Sequence, residues 1–133
     1  KDLNGFKALR LLASWALQPP TKEDLESMET LWQIANKQER ELILNGIYLS
    51  DPFALQGKLL VEKSDYLLDH NEAISPALTT FFKARGYRLL GDNSKATELI
   101  REAFELLPEK DTTGSNALFV EQFENERQAI AFS

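Results

Sequence analysis

Apolar residues recur along this chain at three- and four-residue intervals, in stretches separated by short runs of Pro, Gly, Asp, Asn and Ser. That period marks helices with one buried face, and no stretch makes a convincing strand. Seven helices are predicted. The first runs from Leu3 to Leu17, with Phe6, Leu9, Leu12, Ala13 and Ala16 as its stripe and Leu11 and Trp15 beside it. Gln18-Pro19-Pro20 ends it, because proline cannot continue a helix and restrains the residue before it. The second starts after Thr21, which stands at capping-box spacing from Asp24. It buries Leu25, Met28, Leu31, Trp32 and Ala35 and fades near Asn36. The third, Gln38 to Leu49, has Leu42, Ile43, Gly46 and Ile47 on one face. Leu44, Tyr48 and Leu49 make it apolar nearly all round, which predicts a central position. The fourth is capped by Asp51 with Pro52 at its first position. It carries Phe53, Leu59, Leu60, Tyr66 and Leu67 as core candidates and ends at Asp69-His70-Asn71. Gly46 and Gly57 each cost about 1 kcal/mol of helix stability relative to Ala. They are read as points where helices approach closely.

The clearest pattern lies between Ala77 and Pro108. Ser75 is placed to cap the fifth helix, and Pro76 takes its first position, where a missing N–H costs nothing. Gly91 is placed to end it in the left-handed conformation. Asp92, Asn93 and Ser94 supply turn and capping chemistry for the sixth helix. That helix carries Ala96, Leu99, Ile100, Ala103, Phe104, Leu106 and Leu107 on one stripe and stops at Pro108. A polar loop, Glu109 to Ser115, leads to the seventh helix, Asn116 to Ala131. Leu118, Phe119, Val120, Phe123 and Ile130 form its apolar side, and Glu121, Glu124 and Glu126 are assigned to the other.

The stretch Ala77–Pro108 resembles a tetratricopeptide repeat, a helix–turn–helix unit of about 34 residues. Ala84, Gly86, Tyr87, Gly91 and Asp92 fall at the family's small, aromatic and turn positions. Ala96, Ile100, Ala103 and Pro108 fall at the small, bulky, small and terminating positions of its second helix. Thr80 and Lys83 stand where the family has Trp and Leu. The resemblance implies an all-α fold of stacked antiparallel helical hairpins, an α–α superhelix. The seventh helix would cap the apolar end that such stacks leave open. A globular helical bundle with the same helix order is the competing architecture.

Composition narrows the function. The 133 residues suit one domain, and the start at Lys1 rather than Met suggests a domain excised from a larger protein. A net charge of −6 disfavours direct nucleic-acid contact. The absence of cysteine excludes disulfides and thiolate zinc sites. No apolar run reaches the roughly 18 residues of a membrane span. His70 is the single histidine and is placed to cap a helix C-terminus. No phosphate loop, nucleophile elbow or HExxH occurs, and the acidic pairs Glu23/Asp24 and Glu121/Glu124 read as solvated surface. No cofactor or metal is expected, and the chain is not expected to be an enzyme.

One face stands out. Residues 77–90 carry Lys83, Arg85 and Arg88 and no acid. In the repeat family the first helix of each unit lines a groove for an extended peptide. By that resemblance Phe81, Arg85, Arg88 and Leu89 match groove-facing positions, with Asn45 and Tyr48 contributed by the equivalent helix before them. Arginines there can pair with a partner's carboxylate. Equally, they can balance acids on neighbouring helices, such as Glu62, Asp65 or Glu98. The expectation is a non-catalytic domain for protein or peptide recognition or assembly. The alternative is the effector-sensing or regulatory domain of a bacterial transcription activator. The seventh helix can pack in cis or exchange between subunits of a homodimer.

Overall fold

A computed structural model describes residues 10, 21–49, 54–107 and 115–132 of the chain. Among these residues every regular element is a helix: α1 (Lys22–Ile34), α2 (Lys37–Leu49), α3 (Ala54–Asp69), α4 (Pro76–Leu89), α5 (Asn93–Leu106) and α6 (Ser115–Ala131). They match the second to seventh expected helices. Apart from Arg10, the expected first helix with Trp15 lies outside the described residues, as do Asp51, Pro52, Phe53 and Pro108.

Local chemistry sets the boundaries. Thr21 and Asp24 close a full capping box at the start of α1. The same device, missed in the sequence, opens α2. There the Asn36 side chain accepts from the Glu39 N–H at 2.9 Å, and the Glu39 carboxylate accepts from the Asn36 N–H at 2.8 Å. Ser75 caps α4, and Asp92 caps α5 by accepting from the Lys95 N–H. Between them Gly91 takes φ 89°, a conformation that glycine adopts without steric cost. His70 sits at the end of α3, stacked on Tyr66 with ring centroids 4.1 Å apart.

The helices pack in chain order. α4 lies against both α3 and α5, and α6 covers α5 and part of α4. Trp32, Leu44, Ile47, Leu60, Leu67, Phe81, Phe82, Ile100 and Phe123 are fully buried. Leu42 departs from its expected place and is exposed on α2, because Ile43, Leu44 and Ile47 already fill the inward face. The closest crossing joins α3 to α4. A Cβ added to Gly86 would lie 2.7 Å from the Gly57 carbonyl oxygen, and one added to Gly57 would lie 2.9 Å from the Gly86 carbonyl oxygen.

Polar side chains bind the first three helices. The Arg40 guanidinium donates to the Trp32 carbonyl, the Tyr66 hydroxyl and the Glu72 carboxylate, each at 3.0 Å. It also lies over the Tyr66 ring, 4.8 Å from its centroid. Lys63 pairs with Glu29 and lies over Trp32. Glu41 accepts from the Ile74 N–H and the Thr79 hydroxyl, which fastens α2 to the α3–α4 link and to α4. Burial pushes the Glu41 carboxyl above its ordinary value, and those two hydrogen bonds only partly offset it.

Two predictions follow from this packing. Gly86→Ala gains about 1 kcal/mol of helix propensity but must displace backbone, so we expect a net loss of roughly 1–3 kcal/mol in denaturant unfolding. Unchanged stability would show that the crossing tolerates separation. For Glu41, a raised folded-state value means that its contribution is present at low pH and is lost as pH rises through that value. Glu41→Gln keeps a hydrogen-bond acceptor and removes the charge. Its melting temperature relative to wild type should therefore rise between about pH 4 and pH 7. A difference that stays flat or falls over that range would refute this account.

Candidate functional site

On a helix, Phe81, Arg85 and Arg88 fall within an arc of about 60°, at about 100° per residue. They share a face that turns toward α6. Two guanidinium groups there converge on one carboxylate, Glu126. Arg88 grips it through Nε and Nη2, with Nη2 3.3 Å from Oε1. Arg85 Nη1 reaches the same oxygen at 3.4 Å. The Glu126 side chain is 2% exposed, whereas the arginines are 22% and 20% exposed. A buried acid is thus held by two cations whose outer edges still meet solvent.

Aromatic rings complete the site. Phe123, three residues before Glu126 on α6, stacks on Phe81 with centroids 4.7 Å apart and planes 20° from parallel. Phe104 of α5 meets Phe123 edge-on. Tyr48 of α2 packs on Phe81 and Phe82, and the Arg85 guanidinium lies 4.8 Å from the centroid of its ring. Burial pushes the Tyr48 phenol above its ordinary value, and the Arg85 charge opposes the shift.

The structure therefore gathers Tyr48, Arg85 and Arg88 and separates the other expected site residues. Phe81 is on the same face but fully buried, beneath Phe123 and Tyr48, so it forms the floor rather than a free surface. Leu89 turns toward α3, where its Cβ lies 2.9 Å from a Cβ built on Gly57. Asn45 is exposed on α2, one turn before Tyr48. The acid that balances the arginines is not Glu62, Asp65 or Glu98; Asp65 pairs with Lys83 at 2.6 Å. Glu126, assigned to the outer side of its helix, faces inward. Its spacing of three from Phe123 and four from Ile130 carries that signal.

The site sets two guanidinium groups beside aromatic surface. Among the described residues no three His, Asp or Glu side chains gather to hold a metal ion. Comparison with protein-family models, with curated proteins and with solved structures found no match to this chain.

The geometry changes what arginine removal should do. On the sequence alone, Arg85→Glu with Arg88→Glu leaves melting unchanged. Here that pair neutralises a buried carboxylate, and stranding such a charge costs about 3–5 kcal/mol. Arg85→Ala with Arg88→Ala should destabilise by that order. Glu126→Gln should cost less, because its oxygen still accepts and the arginines reach water. Equal losses in thermal unfolding would contradict this asymmetry.

Proposed function

We propose that this chain is a non-catalytic recognition or assembly domain, with hairpins stacked in the manner of tetratricopeptide repeats. Its recognition face is the α2–α4 surface formed by Tyr48, Phe81, Arg85 and Arg88. One observation carries the reading: two arginines converge on a single carboxylate of a helix whose phenyl ring stacks on the same face. That is the chemistry of a helix held in a groove by an aromatic anchor and a charge-assisted clamp. The ligand class is a helical segment with an aromatic residue and an acid three positions apart. In this chain α6 supplies that pair in cis, through Phe123 and Glu126. The reading as an effector-sensing domain gains no specific observation.

The test uses the whole chain and a labelled peptide of residues 115–132. Glu126→Lys sets a cation against Arg85 and Arg88 and releases the resident helix. We expect this variant to bind the peptide at least ten-fold more tightly than wild type by fluorescence anisotropy. Peptides carrying Phe123→Ser or Glu126→Lys should fail to bind. A folded variant that ignores the peptide, or that binds all three peptides alike, would refute the proposal.

A further inference from the structure

Charge at the Glu126 clamp does not balance. Arg85 and Arg88 meet one carboxylate, and among the described residues no other acid pairs with either arginine. Both reach the same Glu126 oxygen, at 3.4 and 3.3 Å, so the two cations are close neighbours. One positive charge is left over, in a chain whose net charge is −6. It stands where water screens poorly. The arginine side chains are mostly buried, and the Arg85 guanidinium lies over the Tyr48 ring. Repulsion between like charges is stronger in such surroundings than in open solvent.

The free donors identify what relieves it. A guanidinium group presents its N–H donors as planar forks that match oxyanions. Arg88 directs Nε and Nη2 at Glu126, which leaves Nη1 and the second N–H of Nη2 as one fork. Arg85 directs Nη1 at Glu126, and its Nε and Nη2 meet no acceptor among the described residues. The pair thus keeps two donor forks and one spare charge. α6 covers the rest of the face, because Glu126 and Phe81 are both buried. With α6 in place only a small group can enter, and only from the solvent side. A phosphate meets these demands. It is compact, carries about 1.5–2 negative charges near neutral pH, and presents oxygens in several directions. One phosphate can therefore accept from both forks, whereas the two coplanar oxygens of a carboxylate suit a single fork. We infer that the solvent edge of Arg85 and Arg88 is a phosphate site, filled while α6 stays seated. By neutralising the spare charge, the bound phosphate holds α6 on α4. The inference concerns the regulation of the proposed recognition face, but it rests on the clamp geometry alone.

The probe is inorganic phosphate, titrated into the whole chain against chloride at constant ionic strength and near-neutral pH. The arginine Nε–H resonances report on the site directly. In wild type the Arg85 and Arg88 signals should shift saturably with phosphate, and the melting temperature should rise with them. Arg85→Gln, followed through the Arg88 signal, should weaken phosphate binding at least ten-fold. Arg101→Gln makes the same change in net charge at an exposed position on α5 and should bind as wild type does. Glu126→Gln leaves both cations without their acid and should bind phosphate at least ten-fold more tightly. This last variant decides the matter if Arg85→Gln does not fold. Wild-type signals that do not respond to phosphate overturn the inference, as does equal binding by Arg85→Gln. Unchanged affinity in Glu126→Gln overturns it too. A rise in melting temperature that Arg85→Gln shares is the general exclusion of phosphate from protein surfaces and counts against a site. The peptide of residues 115–132 takes no part, so its failure to bind would sink the recognition reading and leave this one standing.

Discussion

The backbone-to-backbone passage of Gly57 and Gly86 fixes how α3 sits on α4. No Cβ fits on either residue without displacing the opposite strand of backbone. This crossing joins α3 to α4, so it sets how these two helices pack. It also sets the rotation of α4. With Gly86 and Leu89 turned to α3, helical geometry sends Phe81, Arg85 and Arg88 to another face. A different rotation would bury the arginines against α3 and leave Glu126 without a cation. The charge site on α4 therefore depends on two glycines that take no part in it.

Glu126 shows what holds α6 in place. Burying a carboxylate is unfavourable unless it is paired and hydrogen-bonded, and here two guanidinium groups satisfy both needs. Such a cluster contributes less to net stability than a well-packed apolar substitute would. Its effect lies in selectivity. Phe123 alone would let α6 slide or rotate over an aromatic floor. The Glu126 clamp admits one register, since a shift of one residue would turn the carboxylate about 100° away. The same logic applies to Arg40, which meets a backbone carbonyl, a phenol and a carboxylate at once and so fixes α1 and α2 against α3.

Much of this architecture was legible in the sequence because helix ends depend on local chemistry. Ser75-Pro76, Gly91-Asp92 and Thr21 with Asp24 act within a few residues of themselves, so spacing alone located them. The Asn36–Glu39 box is equally local, and its signal is an Asn three residues before a Glu at the head of an apolar run. The site was legible only in part. Lys83, Arg85 and Arg88 stood out as a basic run, and the face they share followed from helical period. Their partner did not follow, because Glu126 lies 38 residues beyond Arg88 and pairing at that distance is set by how the helices pack. Assigning all three glutamates of α6 to one outer side treated charge as a proxy for exposure. The phase of the helix, with Phe123 and Ile130 inward, places Glu126 inward regardless of its charge.

On the proposed reading α6 competes with any free partner. Its inner face, through Phe123 and Glu126, occupies the proposed recognition face on α4. A tethered helix competes at an effective concentration that reaches the millimolar range for a short connection. A free partner at micromolar concentration must therefore bind about a thousand-fold more tightly, or α6 must first be loosened. That competition rests on the Glu126 carboxylate, the only side chain of α6 that both arginines hold among the described residues.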